Sequence, residues 1–278
     1  MAASTADAYE TIRIEKEDGI TWAILNRPEK RNAMNPKLHF EMEAALSDLA
    51  TDPETKVLIL TGAGEAFSAG QDLKLYFREA KDPKQQRKAR RAANNWRWQI
   101  LSTFPKPTIA MVNGYCFGGA FTQVCACDFA IAAADAVFGL SEINWGMVPG
   151  GIVSWNITQV MSFRDAMYYA VTGETFTGQE AAQMRFINRA VPKADLRAET
   201  LKLAKMLMAK NPVAVKYTKE AIRAVRNMNV NDAFDYLDAK IDALKFNDKT
   251  GGTDEALKQF IDDKSYRPGF GSYHRPKQ

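Results

Sequence analysis

Apolar residues recur at helical spacing as Leu38, Met42, Ala45, Leu46 and Leu49, which predicts an amphipathic helix after the turn-rich segment RPEKRNAMNP. Ahead of that turn, ITWAILN (20–26) reads as a strand. Beyond the helix, VLILTG (57–62) is a continuous apolar run ending in glycine, as expected of a strand buried on both faces. TIAMVNG (108–114) and FAIAAADAVFG (129–139) repeat the strand pattern. A long basic helix over roughly 84–104 and a short helix ending at Cys127 fall between them. Strands alternating with helices imply crossover connections and a mostly parallel sheet. After about residue 160 helical segments dominate, near 163–171, 178–186, 194–210, 212–226, 230–247 and 252–263. The expected fold class is α/β, with a core over 1–200 and a helical C-terminal region over 201–278. The helix around 230–247 carries a stripe of Phe234, Leu237, Ile241 and Leu244 that would dock on its own core or on a second subunit.

Charge changes this picture little. The 278 residues hold 37 Lys and Arg against 33 Asp and Glu, a net charge of +4 with both signs spread along the chain, so no nucleic-acid partner is expected. The local excess KQQRKARR (84–91) reads as a solvated helix face, with phosphate or RNA binding as its alternative. Cys116, Cys125 and Cys127 sit in apolar surroundings and make neither a disulfide framework nor a four-ligand zinc site, which points to a reducing compartment. No charged-then-apolar leader opens the chain, and no apolar run approaches the roughly eighteen residues of a membrane span. A cytoplasmic protein without membrane association is expected. His39 and His274 lie among polar neighbours and far from a Ser or Cys motif, so a histidine-based hydrolase or a metal site is not supported. The C-terminal SYRPGFGSYHRPKQ has the Pro, Gly and basic residues of an arm or loose end.

Candidate chemistry centres on two loops that each follow a buried strand and end in glycine: FSAGQDLK (67–74) and NGYCFGGA (113–120). Backbone N–H groups at a helix start attract negative charge, and two such loops at neighbouring strand ends could hold one developing anion between them. Neither loop is a G-x-G-x-x-G dinucleotide fingerprint, a nucleotide P-loop or a G-x-S-x-G nucleophile elbow. A glutamate, Glu142, stands in FGLSEINWGMVPGG (138–151) between Phe138, Leu140, Ile143 and Trp145. Low dielectric there would raise its pKa toward the working pH of a proton carrier; a surface or helix-capping role is the competing reading.

LNRPEKRNAM, AFSAGQDL, IAMVNGYCFGGAF and FGLSEINWGMVPGG, in this order and spacing, resemble the crotonase (enoyl-CoA hydratase/isomerase) superfamily over nearly the whole chain. The resemblance implies a spiral of ββα units, a C-terminal helical region that takes part in trimerisation, and trimers or pairs of trimers. It implies an acyl-CoA thioester as substrate, with no metal or redox cofactor. The thioester oxygen would be held by the N–H groups of Gln71 and Gly119. Lys30, with Arg31, would face the coenzyme A phosphates; Ala69, Gln71 and Leu73 would line the adenine and pantetheine path; Ser141, Trp145 and Gly150 would shape the acyl pocket.

Ordinary hydratases of the superfamily use two glutamates, and only Glu142 matches one; the other position is Thr122. SEINWG with DLKLYF is similar to the hydroxycinnamoyl-CoA hydratase-lyases, which carry a small hydroxyl residue at the place of Thr122. By that resemblance Glu142 would activate water toward the β-carbon of a feruloyl-, coumaroyl- or caffeoyl-CoA and then manage a retro-aldol cleavage to an aromatic aldehyde and acetyl-CoA. Tyr76 would contact the phenolic hydroxyl, and Asp238 falls where the family has a second phenol-contacting tyrosine. The alternatives are plain hydration or isomerisation of another acyl-CoA, or a crotonase-like acyl-CoA or RNA binder with little catalysis.

Overall fold

The computed structural model describes residues 9–79 and 81–267. His274 and the end of the C-terminal arm therefore lie outside the described residues. Two compact units are present, residues 1–104 with 108–202 and residues 105–107 with 203–278.

In the first unit β1 (Ile12–Glu17) and β2 (Ile20–Leu25) form an antiparallel hairpin, with Ile12 paired to Leu25. The helix predicted from the apolar stripe is α1 (Pro36–Thr51); Asn35 caps it by accepting from Leu38 N–H at 2.9 Å, and all five predicted stripe residues are buried. β3 (Val57–Gly62) is buried at every position, because it lies between β2 and another parallel strand. There follow β4 (Ala66–Ser68), α2 (Pro83–Asn94), β5 (Thr108–Val112), β6 (Tyr115–Phe117), α3 (Ala120–Ala126), β7 (Phe129–Ala133) and β8 (Val137–Gly139). The unit continues with α4 (Val153–Val160), α5 (Phe163–Thr172), β9 (Thr175–Thr177), α6 (Gly178–Gln183) and β10 (Arg189–Val191).

Six strands form one sheet in the order β1-β2-β3-β5-β7-β10, parallel from β2 onward. The short strands form a second sheet, β4-β6-β8-β9. The pairs β3–β4, β5–β6 and β7–β8 thus each send one strand to each sheet before the next helix, which is the ββα repeat expected of the fold, while β1 and β2 ahead of α1 both belong to the six-stranded sheet. The structure corrects the expected FAIAAADAVFG strand, which is two strands, β7 and β8, in different sheets. The basic helix is also interrupted: α2 gives way to a π-helical turn over Asn95–Ile100.

The second unit is helical. α7 (Leu196–Met208) leads into it, followed by α8 (Pro212–Val225), α9 (Val230–Asn247) and α10 (Gly252–Ile261). α8 and α9 are tied by the Lys240–Glu220 ion pair at 2.5 Å and by Asn247 Nδ2 donating to the Tyr217 hydroxyl at 2.9 Å. No helix among the described residues is long and apolar enough to cross a membrane.

Candidate active site

The loop after β4 is held from below by Asn32, which is fully buried in a left-handed conformation (φ 54°). Its amide accepts from Arg27 N–H and donates to the carbonyls of Ala63 and Ala66, while its own carbonyl accepts from the Ser68 hydroxyl. An isolated parallel bridge then joins Met34 to Gln71. Met34 N–H donates to Gly70 O at 2.8 Å, and Met34 O accepts from Asp72 N–H at 3.0 Å. In such a bridge the residue opposite Met34 turns its own N–H to the other edge, so the Gln71 N–H faces away from Met34. The Arg27–Asp72 ion pair at 3.0 Å secures the next residue.

The second loop crosses directly above. A Cβ built on Gly70 (φ 87°) would lie 2.7 Å from Phe117 O and 3.5 Å from Gly119 N, a packing only glycine allows. Gly119 heads α3, where the first N–H groups have no intrahelical acceptor. The two glycine loops are therefore in contact. Gln123 stiffens the turn with its side-chain nitrogen oriented to donate to Gly119 O at 2.7 Å and Ala120 O at 3.0 Å.

Glu142 sits on a 3-10 turn, Ser141–Trp145, directly after β8. Its carboxylate lies on Gly118, where a Cβ would meet Oε1 at 2.8 Å. Oε2 is buried and has no hydrogen-bond partner among the described residues. Burial raises the carboxyl pKa above the ordinary carboxylate value, against a smaller lowering by its own backbone N–H. Of the apolar neighbours expected to desolvate it, Phe138 and Leu140 are buried, but Ile143 and Trp145 are exposed.

These elements border a cavity of about 630 Å³. Ala69, Gln71, Leu73, Tyr76, Gly119, Ser141, Glu142, Trp145 and Gly150 all line it. Lys30 is exposed at the end of a 3-10 turn and does not line it. Thr122 is buried on α3 and its hydroxyl has no partner among the described residues. Asp238 is exposed on α9 in the second unit. The tyrosine pKa at position 76 is raised by burial and pulled back by Arg97 and Arg90.

Two buried polar residues escaped the sequence reading. His39, expected among polar neighbours, is fully buried. Indole N–H can only donate, so the 2.9 Å contact from Trp96 Nε1 makes His39 Nδ1 an acceptor, and Nε2–H then donates to Gln71 Oε1 at 2.8 Å. Burial, helped by the Arg97 charge, lowers the imidazole pKa to about 3. The signal was present, because His39, Met42, Leu46 and Leu49 share one helical stripe. Arg97, 3% exposed, is the other: it falls four residues after buried Ala93 on the apolar side of a basic helix. No group of three His, Cys, Asp or Glu side chains among the described residues is placed to hold a metal.

The two glycine loops thus meet beside a carboxyl with one buried oxygen, on the wall of a single cavity. The sequence profile of the enoyl-CoA hydratase/isomerase family matches residues 15–266, and the chain belongs to that family. It is 49% identical over 269 residues to the hydroxycinnamoyl-CoA hydratase-lyase of Pseudomonas fluorescens, covering 96% of this chain and 98% of that protein. It is 34% identical over 233 residues to the carnitinyl-CoA dehydratase of Escherichia coli K12, covering 82% and 86%. Among solved structures, the enoyl-CoA hydratase of Bacillus anthracis superimposes with a TM-score of 0.83 at 26% identity, over 91% of this chain and 97% of that one.

Proposed function

We propose that the protein hydrates a hydroxycinnamoyl-CoA, such as feruloyl- or coumaroyl-CoA, at its β-carbon and cleaves the adduct to an aromatic aldehyde and acetyl-CoA. The observation that carries this reading is Glu142 poised on Gly118 with a buried, unpartnered oxygen, in the cavity that also receives the Gln71 and Gly119 loops. Likeness to the Pseudomonas fluorescens hydratase-lyase across nearly all of both chains supports the substrate class.

In this mechanism the Glu142 carboxylate takes a proton from water as the oxygen adds to the β-carbon. Charge moves to the thioester oxygen, held by the N–H groups of Gln71 and Gly119, each worth about 3 kcal/mol of barrier. Protonated Glu142 returns its proton to the α-carbon and is a carboxylate again. It then removes the β-hydroxyl proton; the Cα–Cβ bond breaks, the aldehyde leaves, and the acetyl-CoA enolate is protonated by the same acid. Each step passes through a thioester enolate at the same oxygen and ends with Glu142 restored, so a single carboxyl suffices where Thr122 stands in place of a second. Tyr76, on the cavity wall, faces the ring hydroxyl; Lys30, Ala69 and Leu73 serve the coenzyme, while Ser141, Trp145 and Gly150 shape the acyl end. Asp238 accepts from the ring hydroxyl or stays at the surface. No further cofactor is required, and the active particle is a trimer or a pair of trimers.

Mixing the protein with feruloyl-CoA and following loss of the conjugated thioester absorbance beside vanillin and acetyl-CoA tests this reading. Equimolar aldehyde and acetyl-CoA, abolished in Glu142→Gln, is the expected result. A β-hydroxy thioester without aldehyde would instead mean a plain hydratase.

A further inference from the structure

Among the described residues Arg97 is a charge without a counter-charge. Its guanidinium offers five N–H donors. Nε donates to Ala93 O at 2.9 Å and Nη1 to Gly119 O at 3.3 Å, and no carboxylate among the described residues pairs with it. Burial lowers its pKa only to about 10, so it is a cation at neutral pH. Retaining an unpaired buried cation is costly unless a ligand brings the opposite charge.

Its position says which charge. A Cβ on Gly119 would lie 2.9 Å from Nη1 and one on Gly151 3.1 Å from Nη2, so the guanidinium wedges between the Gly119 turn and the 150–151 loop, both on the cavity wall. It is thus packed against the residue whose N–H is the proposed oxyanion donor. The π-helical turn Asn95–Ile100, which carries Arg97, widens the backbone at this point.

We propose that Arg97 is a positioning residue that holds the Gly119 turn and whose charge, fixed against Gly119 on the cavity wall, stabilises the enolate as it forms. This rests on the enolate chemistry of the proposed function and adds a third, longer-range source of positive potential to it. A preorganised charge of this kind acts on the transition state more than on the bound thioester, so its loss falls on kcat rather than KM.

The test uses the Glu142→Gln protein, in which a conjugated thioester stays intact, with two probes: 4-hydroxycinnamoyl-CoA, and cinnamoyl-CoA, which lacks the ring hydroxyl. A hole that draws electron density onto the thioester oxygen moves the bound probe's absorbance to longer wavelength. Adding Arg97→Gln is expected to remove more than about half of that shift for both probes with less than about a threefold change in Kd, and Arg97→Lys to keep most of it. With Glu142 restored, Arg97→Gln should lower kcat about 30-fold at nearly constant KM. A shift that is indifferent to Arg97 overturns the proposal, as does a loss confined to the hydroxylated probe, which would place the charge at the ring. Should Arg97→Gln not fold, Arg97→Lys decides: a folded lysine protein that loses the shift also overturns it. Because the shift is read without turnover, a wild-type enzyme inert toward feruloyl-CoA would count against the proposed reaction and leave this measurement intact.

Discussion

Glu142 and His39 are desolvated in the same region with opposite consequences. The proposed base works as a carboxylate, so kcat/KM should rise with pH through an apparent pKa above the ordinary glutamate value and then level off. A pH–rate profile checks this; a midpoint at or below the model-peptide value would refute it. Stability moves the other way. Between the unfolded and the raised folded pKa the native state binds more protons, so burial of the carboxylate costs stability as pH rises through that window. Glu142→Gln is neutral throughout and is expected to melt about 1–3 °C higher at pH 7 while losing activity, as calorimetry beside the assay would show. His39 is depressed to about 3, so below pH 6.5 the unfolded chain takes up a proton that the native state refuses. Its share of stability is complete above pH 6.5 and falls by at most ~1.4 kcal/mol per unit as the pH drops toward 3. Denaturant midpoints of the wild type should therefore fall more steeply with acid than those of His39→Gln. Equal slopes would mean that the imidazole is not held neutral. Neither residue's burial was decided by composition: His39 sits on the α1 stripe, but only the opposing Trp96 and Gln71 make a buried imidazole affordable there.

At the scale of elements, what was legible was whatever spans enough residues to show a period. The α1 stripe and the apolar run of β3 were readable, and so were the two glycine loops that meet in the site. The second sheet was not, because β4, β6 and β8 have three residues each, too few for alternation to register, and their flanking glycines read as turns. Those short strands nevertheless aim the site, since β6 and β8 deliver Gly118 and Glu142 side by side, with Phe117 paired to Gly139. Gly118 (φ 50°) is the point of contact with the Glu142 carboxylate. Gly118→Ala adds left-handed strain and a methyl against the carboxylate, and should cut kcat about 100-fold with near-native circular dichroism. Activity within a few-fold of wild type would show that Glu142 can act from elsewhere.

For the whole molecule, α9 presents Phe234 and Ile241 at 65% and 50% exposure, with Leu237 between them, which suits the proposed assembly. Light scattering should give a mass three or six times that of the chain, and Phe234→Asp with Ile241→Lys should shift it toward monomer. An unchanged mass would move the interface off this helix. The six-stranded sheet has a different consequence. From β1 to β10 its order in space is its order in sequence. A ribosome releasing the chain from the N-terminus can therefore lay each strand against the one before, and at every stage the growing sheet has a single waiting edge. At roughly 5–20 residues per second, β2 would wait about ten to thirty seconds before β10 emerges to complete the sheet.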